Sequence, residues 1–331
     1  MDPQETPASP GATDGASGGI VAAGGVGGFG VVGGSGGAGG SGVVGGSGGV
    51  GGSRVVGETA RALALACHPL PTVAVTAISA GLAALAGLGF GRGLLVVTAI
   101  LAGQLSIGWS NDSIDAARDR ATERSDKPVA SGAVSPRTVG VAAVLALAVC
   151  VIASLALGWA AGLASIVVAA CGWAYNLGLK ATAFSWLPYA LAFGMLPAVA
   201  TLALPTPSWP APWAMISGAL FGVSAHLANV LPDLTDDAAT GVRGFPHRLG
   251  ARASAVGCTA ALFAASMVIL FGSGAELTAW RWVAAAVLGL VAVAGVIIGL
   301  RRPTSRALFT LVIAVAVADL VLFAVSGASL T

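Results

Sequence analysis

Charge is scarce in this chain: Asp, Glu, Lys and Arg together make up 9% of 331 residues. A soluble domain carries about 25%, so an ordinary water-soluble fold is excluded. Hydrophobic residues fill the gap at 56%, with a mean hydropathy of +0.89. The composition is that of a polytopic membrane protein. The net charge of +2 comes without any dense basic tract, which excludes a nucleic-acid partner. Cysteine is also sparse. Cys67, Cys150, Cys171 and Cys258 are scattered through apolar runs without paired spacing, so neither a disulfide framework nor a zinc site is indicated, and each reads as a small buried hydrophobe.

The first 57 residues lack side chains able to build a core. Val-Val-Gly-Gly-Ser-Gly-Gly begins at Val31 and again at Val43. Such a segment cannot offset its ordering entropy, so residues 1–57 read as a disordered, Gly-rich cytoplasmic tail and 58–331 as the membrane domain. Gly25, Gly27 and Gly30 match G-x-G-x-x-G, but no strand precedes them and no helix follows. No charged n-region precedes a compact apolar core, which excludes a signal peptide.

Nine apolar runs of spanning length follow, near 70–89, 94–110, 138–157, 159–177, 183–204, 212–231, 253–272, 280–300 and 306–327. Trp159, Trp209, Trp213, Trp280 and Trp282 sit near run ends, where interfacial aromatics anchor helices. With a cytoplasmic N-terminus, every Lys and Arg except Arg92 and Arg281 falls on the inner side. The positive-inside rule then places the C-terminus outside the cell membrane.

Against this background one stretch stands out. Asn111, Asp112, Asp115 and Asp119 close the second run and fall within an arc of about 100° on a helix. Three carboxylates and an amide on one face repel one another without a cation. Oxygen donors of this kind suit Mg²⁺, which takes a few carboxylates together with substrate phosphates. The competing reading is an interfacial loop whose charges pair with its own arginines. A second set, His226, Asn229, Asp233 and Asp237, closes the sixth run at spacings of 3, 4 and 4 and reads as one polar stripe along a helix. Runs two and six point the same way, so both sets emerge on the cytoplasmic side. That coincidence favours a metal–diphosphate site with Asn111, Asp115, Asp119, Asp233 and Asp237 as ligands. Tyr175 and Lys180 end run four on that side. With Asp112, Arg118, Lys127, Arg243 and Arg248, they are candidate groups for holding the diphosphate. Asp319, near the middle of the last run, has no companion acid on its helix.

Asn111-Asp-x-x-Asp115-x-x-x-Asp119 with Lys127-Pro128 and Ser131-Gly132 resembles the first signature of the UbiA superfamily of intramembrane prenyltransferases. Asp233-x-x-x-Asp237, Gly241 and Phe-Pro-His-Arg-Leu-Gly250 resemble its second signature, and Tyr175 to Lys180 its intervening segment. The resemblance implies an all-α protein with nine transmembrane helices around a central apolar cavity. It implies Mg²⁺-dependent transfer of an isoprenyl group from its diphosphate to an aromatic or other lipophilic acceptor in the membrane lipid. Asp115, Asp119, Asp233, Asp237, Lys180 and Tyr175 would form the catalytic set. Two departures are visible: His68-Pro69 and Lys127-Pro128 stand where many relatives carry Arg-Pro, and lysine lacks arginine's bidentate fork. The alternatives are a membrane-bound terpene cyclase of the same superfamily and an ion-coupled transporter. The latter typically places its acids at the membrane midplane.

Overall fold

A computed structural model describes residues 48–122, 124, 127–274, 276–326 and 329–331. Most of the expected tail, and Glu123 and Asp126 of the first acidic segment, lie outside the described residues. Among those described, every regular element is helical: α1 (Gly48–Ala66), α2 (Pro69–Leu85), α3 (Phe90–Ala121), α4 (Pro136–Ala156), α5 (Trp159–Leu177), α6 (Leu187–Leu202), α7 (Pro212–Val230), α8 (Leu234–Ala239), α9 (Phe245–Leu249), α10 (Ala251–Gly272), α11 (Ala279–Arg301) and α12 (Ala307–Ser326). The first of them begins at Gly48, ahead of the boundary expected at residue 58. Proline opens α2, α4 and α7, where its missing N–H has no partner to lose. The Ser135 hydroxyl accepts from the Thr138 N–H and caps α4.

Each of the nine apolar runs falls on a helix, but their lengths differ. Seven helices among the described residues are long and apolar enough to cross a membrane, eight if the bent pair Val56–Ala66 and Pro69–Leu85 counts as one span. Leu187–Leu202 is apolar but shorter, because Trp186-Leu-Pro188 and the turn after Leu202 cut the run at both ends. Helix α3 is the opposite case. Its 32 residues measure ~48 Å against a hydrocarbon core of ~30 Å.

The helices close a ring: α2 lies on α3, α3 on α5, α5 on α6, α6 on α7, α7 on α10 and α12, and α12 on α2. Helix α4 packs on α3 and α5, and α11 on α10 and α12. Their free faces expose Val141, Val144, Leu145 and Ile152, and Val283, Val287, Leu290 and Val293. Hydrocarbon solvates such faces; water does not. Between neighbours the packing depends on small residues, as is usual where no hydrophobic effect drives helices together. A Cβ on Gly222 of α7 would run into the backbone carbonyl of Tyr189 on α6.

The elbow between α1 and α2 is the least regular joint. The two helices meet at 67°, and His68 takes a left-handed φ of 55° to make the corner, a conformation uncommon outside glycine. Gly108 of α3 lets the elbow seat, since a Cβ there would strike the Cys67 backbone. The Trp109 indole N–H donates to the Leu63 carbonyl at 2.8 Å. Ala62 and Ala66 of α1 are buried with Ala116, Val129, Val134 and Val139. The elbow therefore clamps the acidic end of α3 to the loop that follows it.

Candidate functional site

The acidic end of α3 is buried: Asp112, Asp115 and Asp119 are 1%, 5% and 4% exposed. Carboxylates that deep require compensation, and each has it. Lys180 Nζ donates to both Asp115 oxygens at 2.6 Å, and Arg118 Nη2 donates to Asp115 Oδ2 at 2.6 Å. Asn111 Nδ2 donates to the same oxygen at 3.1 Å. Lys127 Nζ bridges Asp119 Oδ2 at 2.9 Å and Asp112 Oδ1 at 3.1 Å, and His68 Nε2 lies 3.2 Å from that Asp112 oxygen.

Local backbone chemistry aims these cations. Gly178, at φ 150°, ends α5 and leads into the short 3₁₀ turn that carries Lys180. After Lys127-Pro128, the Ser131 N–H donates to the Lys127 carbonyl at 3.0 Å, and Gly132 turns the chain at φ 80°. Burial opposes the charge on Lys127, but Asp112 and Asp119 outweigh it and hold its pKa above the ordinary lysine value. For Lys180 burial wins: Asp115 offsets it only in part, Arg118 and Lys127 add to it, and the pKa falls below the ordinary value.

The second acidic set runs across a short 3₁₀ turn. Helix α7 ends at Val230, and the chain passes through a 3₁₀ turn, Leu231–Asp233, before α8. Pro232 has no N–H to continue the ladder. His226 is not among the residues lining the cavity that holds the other three. It is fully buried, with Nε2 3.0 Å from Ser185 Oγ and its ring against Tyr175 and Tyr189 at 5.7 and 5.1 Å. Asn229, Asp233 and Asp237 instead line the same cavity as Asn111, Asp112, Asp115 and Asp119. The loop after α3 reaches the second set: Arg124 Nη1 donates to Asp233 Oδ1 at 3.1 Å.

The cavity has a volume of about 650 Å³. Its polar mouth gives way to an apolar interior lined by Ile78, Leu82, Phe193, Phe221 and Phe323. Tyr175 and Tyr189 stand between, edge to face at 5.2 Å, and Tyr189 stacks on Phe193 at 6.4 Å. Cations and carboxylates at one end, aromatic rings at the neck and hydrocarbon beyond make a site for an anionic head on an apolar tail.

The model of the UbiA prenyltransferase family matches residues 70–316. The chain belongs to that family. Solved structures share the fold. A UbiA homolog from Aeropyrum pernix K1 matches with a TM-score of 0.63 at 19% identity, covering 77% of this chain and 96% of that one. A UbiA homolog from Archaeoglobus fulgidus, bound to GPP and Mg²⁺, matches at 0.58 and 13%, covering 78% and 99%. A digeranylgeranylglyceryl phosphate synthase matches at 0.57 and 14%, covering 81% and 98%. No curated protein sequence matches the chain.

In this UbiA protein, the residues singled out from sequence separate into two groups. Asn111, Asp112, Asp115, Arg118, Asp119, Lys127, Tyr175, Lys180, Asp233 and Asp237 all line the cavity. Arg243 and Arg248 are exposed and are not among its lining residues. Sequence reasoning gave no site role to Arg124, Asn176, Tyr189 or Phe193. Asn176 donates to Ile107 O and Ser110 Oγ at 2.9 and 2.8 Å and accepts from Asn111 at 3.3 Å. It sits beside Tyr175, the one signal that pointed to it. Lys127 supplies a direct test of how the charges are held. Lys127→Met leaves two buried carboxylates short of a cation, a loss of about 3–5 kcal/mol. A lower thermal midpoint in detergent is expected, with partial recovery in Lys127→Met/Asp119→Asn; an unchanged midpoint in the single variant contradicts the bridge.

Proposed function

We propose that this UbiA protein transfers an isoprenyl group from its diphosphate to an aromatic or other lipophilic acceptor dissolved in the membrane, with Mg²⁺ as cofactor. The observation that carries this reading is the convergence of both acidic sets on one cavity whose interior is apolar. The Archaeoglobus homolog bound to GPP and Mg²⁺, and a second structure of it bound to DMAPP and Mg²⁺, support the ligand class.

The donor set suits the metal. Asn111, Asp115, Asp119, Asp233 and Asp237 offer hard oxygen atoms around one space. Among the described residues no three His, Cys, Asp or Glu side chains form a ready metal cage. Mg²⁺ does not need one, because one or two carboxylates with phosphate oxygens and water complete its shell. When bound, the metal neutralises charge on the departing diphosphate as a Lewis acid.

The remaining work falls to the chain itself. Lys180, Arg118 and Lys127 present fixed N–H donors at the mouth, where the diphosphate leaves with the C–O electron pair. Their present carboxylate partners hold them there in advance. Tyr175 and Tyr189 line the cavity at its neck, and an allylic cation is attracted to aromatic rings. The apolar interior excludes the water that would otherwise capture that cation. The acceptor forms the new bond to carbon and gives up a proton to a cavity carboxylate. Intramolecular capture, giving a cyclised terpene, is the second reading, favoured by the aromatic neck. Product analysis without an acceptor separates the two.

Purified protein should release diphosphate from isoprenyl diphosphates only with a divalent metal. Asp115→Ala and Asp233→Ala should each lower kcat/KM by about a hundredfold or more, the scale of losing one group that stabilises developing charge. Full turnover in excess chelator contradicts the assignment. We further propose nine membrane crossings with the N-terminus and the cavity mouth cytoplasmic, supported by the basic residues that accompany the mouth. A reporter fused after Thr331 should then function only outside the cytoplasm; cytoplasmic activity would mean an even number of crossings.

A further inference from the structure

The cavity has an inner end as well as a mouth, and Leu330, beyond the last helix, is among the residues that line it. Helix α7 runs from Pro212 toward the acids that follow it, and α2 runs from His68, beside Asp112, to Leu85. The start of α7 and the end of α2 therefore mark the end of the cavity farthest from the two acidic sets, and Asp319 of α12, which accepts from the Ser266 hydroxyl at 2.6 Å, also lines the cavity one turn before Phe323. Leu82 of α2, Trp213 and Ala214 of α7, Ile269 of α10 and Phe323 of α12 all line the cavity and all pack in one cluster there. Leu330 belongs to both sets. It is 4% exposed, between the exposed Ser329 and Thr331. Its carbonyl accepts from the Ala211 N–H at 2.6 Å, which fixes the segment against the entry to α7.

Simple covering of helix ends would explain the backbone bond and the burial. It does not require that the side chain form cavity wall. We propose that Leu330 is a stopper that sets the longest isoprenyl chain this protein accepts. The proposal rests on the prenyl-transfer reading and deepens it to a chain-length specificity. Along α2 the span from Pro69 to Leu82 is ~20 Å, and along α7 from Ala214 to Val230 it is ~24 Å. An isoprenyl tail whose diphosphate is held at the mouth extends along this axis, and its last unit meets Leu330. An end wall discriminates by overlap, because a packed interior does not yield to an extra methyl-bearing unit. A shorter side chain at this position opens room for a further isoprene unit. A larger one removes room.

The test uses full-length wild type, Leu330→Ala and Leu330→Trp in detergent with Mg²⁺. Geranyl, farnesyl, geranylgeranyl and geranylfarnesyl diphosphates compete for binding against a labelled isoprenyl diphosphate, and diphosphate release is measured in parallel. Leu330→Ala should raise the relative affinity for the first chain that wild type rejects by about tenfold, the scale on which an apolar pocket senses carbon atoms. Leu330→Trp should lower that for the longest chain wild type accepts by a similar factor, while geranyl diphosphate stays within about twofold in both. Opposite shifts from the two variants cannot come from general loosening. Folded variants with the wild-type length profile, or with an equal loss for all four chains, would overturn the stopper and leave Leu330 as a cover for helix ends. Wild type that binds none of the four would instead overturn the prenyl-transfer reading and the stopper with it.

Discussion

Three carboxylates near the end of one helix, each at most 5% exposed, are the constraint from which the rest of the site follows. Burying a carboxylate without a partner is prohibitively unfavourable in a low-dielectric setting, so cations must be delivered to the end of α3 from elsewhere in the chain. Lys180 comes from the turn after α5, Lys127 from the loop after α3, and Arg118 from α3 itself. Each delivery needs its own backbone device: Gly178 before Lys180, Gly132 after Lys127, and the His68 corner that presses α1 onto that loop. The length of α3 belongs to the same logic, since its last turns carry all three acids to these partners.

Compensation of this kind has a functional consequence. The cations that neutralise Asp112, Asp115 and Asp119 in the free protein are the groups that a diphosphate would engage. Binding then exchanges one set of charge-assisted hydrogen bonds for another rather than creating buried charge anew. The second acidic set is less buried and less compensated, with Asp233 37% exposed at its side chain and held by Arg124. Arg124 thus links the loop after α3 to the second acidic set. The interior is mostly apolar and held by packing, but it also buries Asp319 of α12, whose Oδ2 accepts from the Ser266 hydroxyl at 2.6 Å.

Much of this was legible in the sequence because the chain has so few charges to distribute. Two acidic sets at the ends of parallel runs, with Tyr175 and Lys180 between them, pointed to one end of the bundle, where these residues line one cavity. The stripe through His226, Asn229, Asp233 and Asp237 keeps its last three members on one cavity across the 3₁₀ turn at Pro232, while His226 lies against the Ser185 hydroxyl. Arg124, Tyr189 and Phe193 were not legible because nothing in their local sequence sets them apart from a charged loop or a lipid-facing run. Their roles arise from helices that meet only in three dimensions. The same is true of Leu330, whose neighbours in space come from α2, α7, α10 and α12.

The central claim is that the two acidic sets act on one ligand. A double-mutant cycle measures this most directly. Mg²⁺-dependent affinity for a non-hydrolysable isoprenyl diphosphate analogue is determined for wild type, Asp115→Asn, Asp233→Asn and the double variant. Residues that share a ligand show coupling of about 0.5–3 kcal/mol, whereas independent sites add within about 0.5 kcal/mol. The account predicts a double variant whose loss differs from the sum of the single losses by more than the additive range. Strict additivity, or binding unaffected by Asp233→Asn, would contradict it.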